Sequence, residues 1–238
     1  MQRKEKRSSN QLREISIIPG FNMHAEGSAL VKFGNTHVIC NATVEKATPR
    51  WMQNDKTGWV TAEYGMLPRS TNERMNREAN RGKQSGRTME IQRLIGRSLR
   101  QAVDLEKLTG YTVTVDCDVI QADGGTRTAS ITGSYVSLCL AIKKLMETGT
   151  IKKNPIKDYI AAVSCGVLNG DVFVDLDYSE DSIADVDANF VFTKELGIAE
   201  IQISGEKNTF SLDQVTKMIN EAKKAADQIF KIQESVIL

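Results

Sequence analysis

The sequence predicts an α+β fold built in two successive blocks, and three observations carry that expectation. Short stretches with period-two alternation gather ahead of helical stretches. Long runs of helical period follow them, near residues 88–105, 131–146 and 211–232. Strands and helices do not alternate regularly, as they would in a doubly wound parallel sheet.

In the first block, strands are expected over residues 13–18, 28–33, 37–45 and 59–66. Pro19-Gly20 punctuates the first, and Gly34-Asn35 turns the chain between the second and third. Residues 68–86 are polar and arginine-rich without apolar period, which reads as a long functional loop or mobile arm. A helix begins near Thr88, with Ile91, Leu94, Ile95, Leu99, Ala102 and Leu105 as its buried stripe. Arg93, Arg97 and Arg100 lie opposite, on an exposed or subunit-facing side. Over residues 111–120, Thr112, Thr114, Asp116 and Asp118 alternate with Val113, Val115, Cys117 and Val119, the mark of a half-buried strand. Ile131, Tyr135, Leu138, Ile142 and Leu145 then recur at helical spacing.

Asn154-Pro155 closes this block. In the second, residues 159–168 and 172–176 form a hairpin through Asn169-Gly170, and residues 187–193 and 199–204 are further strands. Ser211 opens a helix whose apolar side carries Leu212, Val215, Met218, Ile219 and Ala222. No linker composition separates the blocks, so residues 1–238 read as one domain with sub-blocks of about 1–153 and 154–238.

A 238-residue chain, 40% hydrophobic and 26% charged, has globular composition and is long enough to build a large core. Its net charge of +1 conceals segregation. Residues 69–100 hold nine basic and three acidic side chains, whereas residues 175–187 hold six acidic and no basic ones. Each local field is strong enough to define a site. Cys40, Cys117, Cys139 and Cys165 form no Cys-x-x-Cys pair and lie in apolar stretches, as buried thiols of a reducing compartment do. His24 and His37 lack ligand spacing, which argues against zinc. Without a long apolar run or a secretory leader, the chain is expected to be cytoplasmic, with no membrane partner.

Two segments carry chemistry. Gln121 to Ala129 reads Gln-Ala-Asp-Gly-Gly-Thr-Arg-Thr-Ala between a strand and a helix. Glycines allow close backbone approach, the first helical turn offers unpaired N–H groups, and Thr126 and Arg127 add a hydroxyl and a guanidinium. The segment reads as a phosphate socket, or more plainly as a turn capped by Thr126 or Thr128. In the acidic run, Asp185 and Asp187 stand two apart on a probable strand and face one side, with Asp181 one turn earlier. Such oxygen donors suit Mg²⁺ or Mn²⁺, which needs only one or two protein carboxylates beside water and substrate phosphate. Asp175, Asp177 and Glu180 read as a solvated acidic loop.

Socket, cation site and arginine arm together suit phosphoryl transfer on a nucleic acid, with inorganic phosphate as attacking group if the socket holds it free. Hydrolysis with two metals would use the same acids, and a non-catalytic RNA-binding subunit would need only the arm. No serine–histidine or cysteine–histidine arrangement competes.

The motifs then add a resemblance. Asn10-Gln11-Leu12-Arg13, His24-Ala25-Glu26-Gly27-Ser28, and Thr61-Ala62-Glu63-Tyr64-Gly65-Met66-Leu67-Pro68-Arg69 are three of its carriers. Gly86-Arg87-Thr88-Met89-Glu90-Ile91-Gln92-Arg93-Leu94-Ile95-Gly96-Arg97, the Gln121–Ala129 segment, and Glu180-Asp181 through Asp187-Ala188-Asn189 follow in order. With these, the chain resembles the ribonuclease PH family of phosphorolytic 3′ exoribonucleases nearly end to end. The resemblance implies a fold like the second domain of ribosomal protein S5 and a homo-oligomer, a hexameric ring of dimers. It implies that Arg87, Gly125, Thr126 and Arg127 bind inorganic phosphate, and that Asp181 and Asp187, with Asp185 nearby, bind Mg²⁺. Arg69, Arg74, Arg77 and Arg81 would hold transfer RNA precursors and other RNA 3′ ends. Catalysis would then fall to Asp181, Asp187, Arg87 and Arg127, with Asp181 either a metal ligand or a general acid. Ile203-Ser204-Gly205-Glu206-Lys207 departs from a small-residue stretch usual in the family.

Overall fold

A computed structural model describes residue 3 and residues 6–52 and 57–237. Two sheets sandwich a central helix. The first has the order β1-β2-β3-β5-β4, from β1 (Ile15–Pro19), β2 (Gly27–Phe33), β3 (Thr36–Glu45), β4 (Trp59–Met66) and β5 (Thr112–Gln121). Its strands pair antiparallel except β4 and β5, which run parallel. Helix α1 (Gly86–Gln101) makes that crossover. The second sheet, wholly antiparallel, has the order β7-β6-β8-β9, from β6 (Ile160–Leu168), β7 (Asp171–Val174), β8 (Val186–Thr193) and β9 (Ile198–Gly205).

Helix α2 (Thr126–Glu147) runs between the sheets and packs on β2, β3 and β6. It is buried nearly all round, because both of its faces meet a sheet. The alternation read along β5 is realised there: Val113, Val115, Cys117 and Val119 are buried, while Asp118 faces solvent. Short α3 (Tyr178–Asp181) follows β7, and α4 (Leu212–Ile237) covers β6 and β7. One apolar core is continuous through both sheets. All four cysteines are buried and free. Among the described residues, no helix is long and apolar enough to cross a membrane.

Several expectations need correction. Leu212 is 85% exposed, because it stands at the very start of α4, before the helix reaches the sheet. Leu105 leaves the α1 stripe for a separate 3₁₀ turn, Leu105–Leu108. Of Arg93, Arg97 and Arg100 only Arg93 is exposed; Arg97 pairs with Glu200 at 2.7 Å, and Arg100 donates to the Val60 carbonyl over the Trp59 ring.

The largest correction concerns the acids. Asp175, Asp177 and Glu180 are not a solvated loop; each is 2% exposed. Arg3 Nε donates to Glu180 Oε1 at 2.7 Å, and Arg13 Nη2 to Asp175 Oδ1 at 2.6 Å. Asp177 caps α3 by accepting from the Ser179 and Glu180 N–H groups, with Glu180 answering to the Asp177 N–H. The N-terminal segment supplies the arginines that sequence spacing could not place.

Candidate active site

The strand-to-helix junction is built as its composition suggests. Gly124 (φ 75°) and Gly125 (φ 65°) both lie in the left-handed region. A Cβ at Gly124 would sit 2.5 Å from the Leu176 carbonyl oxygen, so the turn also needs glycine for space. The helix ladder starts with Ala129 N–H donating to Gly125 O at 3.0 Å. The N–H groups of Thr126, Arg127 and Thr128 therefore precede the ladder and carry the positive end of the helix.

These residues line a cleft of about 640 Å³. It draws Gly124, Gly125, Thr126 and Arg127 from the α2 turn, Arg87 from α1, Asp181 from α3, and Asp187 and Asn189 from β8. Arginines and aspartates distant in sequence thus share one depression. Arg87 is exposed near the start of α1, whose N-cap Ser85 accepts from Thr88 N. Arg127 donates to Gln202 Oε1 at 3.3 Å, and Gln202 donates on to Glu90. Tyr64, buried on β4, lies 2.9 Å from Thr126 Oγ1 through its hydroxyl.

Burial raises the Asp181 carboxyl above its ordinary value, and the charge of Asp187 adds to it; Arg127 and Arg87 oppose the shift. Asp187 is raised likewise, first by burial, with Arg127 opposing and Glu206 adding. Among the described residues neither carboxylate forms an ion pair within the chain. Asn189 donates to Asp187 Oδ1 at 3.4 Å.

Asp185 does not join them. It precedes β8 instead of lying on it, its carboxylate accepts from Asn208 at 3.0 Å, and it is absent from the cleft lining. Its carbonyl accepts from the N–H groups of Glu206 and Lys207, which ties the departing Ile203–Lys207 stretch to the start of β8. No group of three or more His, Cys, Asp or Glu side chains able to hold a metal occurs among the described residues. Of the expected cation ligands the cleft keeps Asp181 and Asp187, and Glu73 of the arm also lines it.

The arginine-rich arm arches beside the cleft. Arg69, Arg74, Arg77 and Arg81 are all exposed. Arg74 lines both the cleft and an adjoining opening of about 1150 Å³, which also takes Arg77 and Arg81; Arg69 lines neither. The arm is pinned, not loose along its length: Ser70 O accepts from Ala122 N at 2.8 Å, and Glu78 accepts from Ser85 N and Thr88 Oγ1. Tyr64 and Gln202 were not singled out from sequence as site residues, although Tyr64 lies within a quoted motif.

Models of the 3′ exoribonuclease family match residues 11–143 as its domain 1 and residues 158–225 as its domain 2. The chain belongs to the ribonuclease PH family. A curated ribonuclease PH of Mesorhizobium japonicum is 54% identical over 237 residues, covering 99% of both chains. That of Roseobacter denitrificans is 53% identical over 229 residues, covering 96% of this chain and 97% of its own. Among solved structures, the Archaeoglobus fulgidus exosome with RNA bound to the active site superposes with a TM-score of 0.83 at 22% identity, covering 97% of this chain and 92% of that one. Rice Rrp46 gives 0.80 at 22% identity, covering 99% and 100%. These two likenesses concern the fold, which is the α+β ribonuclease PH fold.

Proposed function

We propose that the cleft between α2, α1 and β8 is where this ribonuclease PH family member performs its reaction, with Arg87, Gly125, Thr126 and Arg127 holding inorganic phosphate. As a member of that family the chain is a phosphorolytic 3′ exoribonuclease that processes transfer RNA precursors, with phosphate as co-substrate. The single observation that carries the site assignment is the convergence of Arg87 and Arg127 with Asp181 and Asp187 on one cleft.

The α2 N-terminus and two guanidiniums orient phosphate and neutralise part of its charge. One phosphate oxygen attacks the phosphorus of the last internucleotide linkage. The bond from that phosphorus to the 3′ oxygen of the preceding nucleotide breaks, releasing a nucleoside 5′-diphosphate. A phosphoanhydride replaces a phosphodiester, so the step runs in both directions and the enzyme also adds nucleotides.

Asp181 and Asp187 fit Mg²⁺ or Mn²⁺: both carboxyls are raised, the charge of Asp187 adds to the rise at Asp181, and neither has an ion-pair partner among the described residues. When bound, the ion supplies charge stabilisation at the scissile phosphate and the leaving oxygen. The raised Asp181 carboxyl also suits donation of a proton to that oxygen.

RNA would approach along the arm, where Arg74, Arg77 and Arg81 face the adjoining opening. Both sub-blocks would work as one domain, since the cleft takes residues from each. We assign a hexameric ring, a trimer of dimers. It is supported by the edge strand β9 and its neighbouring loop, where Leu196, Ile198 and Ile201 are 68%, 48% and 44% exposed. The unpaired buried thiols favour a reducing, cytoplasmic setting.

The test is the product. Incubation of a 3′-extended transfer RNA with phosphate should yield nucleoside diphosphates, and omission of phosphate should stop shortening. Phosphate-independent release of monophosphates would refute the reading.

A further inference from the structure

The Asn10-Gln11-Leu12-Arg13 motif carries part of the family likeness yet contributes nothing to the cleft lining. Arg13 is 5% exposed and lies behind the Gly-Gly turn. Its Nη1 donates to Asp123 O at 2.6 Å and its Nη2 to Gly124 O at 3.5 Å. On its other side Nη2 and Nε hold Asp175 at 2.6 and 3.1 Å. Fully buried Thr36 completes the grip: its Oγ1 donates to Gly124 O at 2.6 Å and accepts from Asp123 N at 2.9 Å.

The consequence follows from peptide geometry. In a planar trans peptide the carbonyl and the following N–H point in opposite directions. Drawing Asp123 O and Gly124 O toward Arg13 and Thr36 turns the N–H groups of Gly124 and Gly125 away from them. Neither N–H has a protein acceptor among the described residues. The Asp123 carboxylate extends the linkage, accepting from Tyr178 N at 3.3 Å at the start of α3, the helix that ends in Asp181. Asp175 offsets the charge of Arg13, so Arg13 acts through geometry and not through its field on the ligand.

We propose that Arg13, with Thr36 and Asp175, is a positioning element that aims the Gly124 and Gly125 amides at phosphate. This rests on the assignment of the α2 turn as the phosphate site, and the experiment separates the two. Thr36→Val keeps shape and the Arg13–Asp175 pair but removes the hydroxyl; Arg13→Lys keeps the charge and removes the fork. Phosphorolysis of a 3′-extended transfer RNA by each full-length variant is measured against phosphate and against RNA, with Arg87→Ala in parallel and thermal melting recorded for all.

Both positioning variants should raise the phosphate KM by about tenfold or more while the RNA KM stays put. A merely structural role would lower kcat with the active fraction and leave the phosphate KM unchanged; that result overturns the proposal. If Arg87→Ala loses phosphate saturation while the two variants keep it, the positioning role alone falls. Normal saturation in Arg87→Ala removes the phosphate site itself, and the proposal with it.

Discussion

Two groups of arginines and carboxylates stand back to back across α3, and they differ in what their charges have left over. On one side, Arg3, Arg7 and Arg13 meet Glu180 and Asp175 with side chains no more than 4% exposed. Arg3 also donates to the carbonyls of Val174 and Asp175, so most of its N–H groups are spent within the chain. On the other side, Asp181 and Asp187 line one cleft with Arg87 and Arg127, and among the described residues they form no ion pair. Residue types are the same in both. A sealed pair has spent its hydrogen-bonding capacity within the chain and can reach a ligand only through the backbone it holds, while an unspent set keeps its field for a ligand.

The comparison breaks most visibly at Glu180. Glu180→Ala leaves Arg3 buried and uncompensated, and should cost about 3–5 kcal/mol in chemical denaturation. The phosphate KM of the remaining folded enzyme should not change. A loss below about 1 kcal/mol would mean that the sealed network is no more than a surface pair.

Arg87→Ala and Arg127→Ala should do the reverse. Turnover should fall by about 10²–10³-fold at fixed phosphate, with the melting temperature close to that of the parent. Wild-type stability should rise with phosphate by mass action, about 2.7 kcal/mol at 100 times Kd, and Arg87→Ala should lose that rise. A phosphate-dependent melting shift that survives the substitution would place the anion elsewhere.

Arm substitutions should be milder. Arg74→Ala, Arg77→Ala or Arg81→Ala should weaken RNA binding and reduce the slope of log K against log salt by about 0.7 per lost phosphate contact. Phosphate KM should hold. An unchanged salt slope would remove the arm from the RNA path.

The smallest effect is a pH dependence. The folded state binds the Asp187 proton more tightly than the unfolded state, because burial raises its carboxyl. Well below the ordinary aspartate value of about 3.9 both states are protonated and Asp187 contributes no difference. As pH rises through the raised folded value, wild type loses stability relative to Asp187→Asn. The variant should therefore melt slightly higher at neutral pH, the gap should close in acid, and Mg²⁺ should narrow it by raising the parent. Equal melting at both ends of the pH range would show the carboxylate to be unstrained.

Legibility in the sequence followed the range of the interactions. Strand β5 was readable because Val113, Val115, Cys117 and Val119 repeat the local pleat. The Gly124-Gly125 turn was readable because its backbone demand is local. The fate of Asp175 and Glu180 was not, since their partners Arg3, Arg7 and Arg13 lie more than 160 residues away. Asp185 misled for a related reason: β8 starts one residue after it, so the period-two argument placed it on a face it does not share. Tyr64 and Gln202 reach the cleft only through contacts between elements.

By itself the sequence determined the α+β succession of elements, the Gly124-Gly125 turn ahead of α2, the segregation of charge and the motifs of the ribonuclease PH family. Tertiary structure alone decided which acids are sealed and which remain open to a ligand. Local pattern reports backbone geometry and which face is apolar. Whether a charge is spent depends on what the fold brings against it, and a carboxylate's own sequence neighbours do not record that.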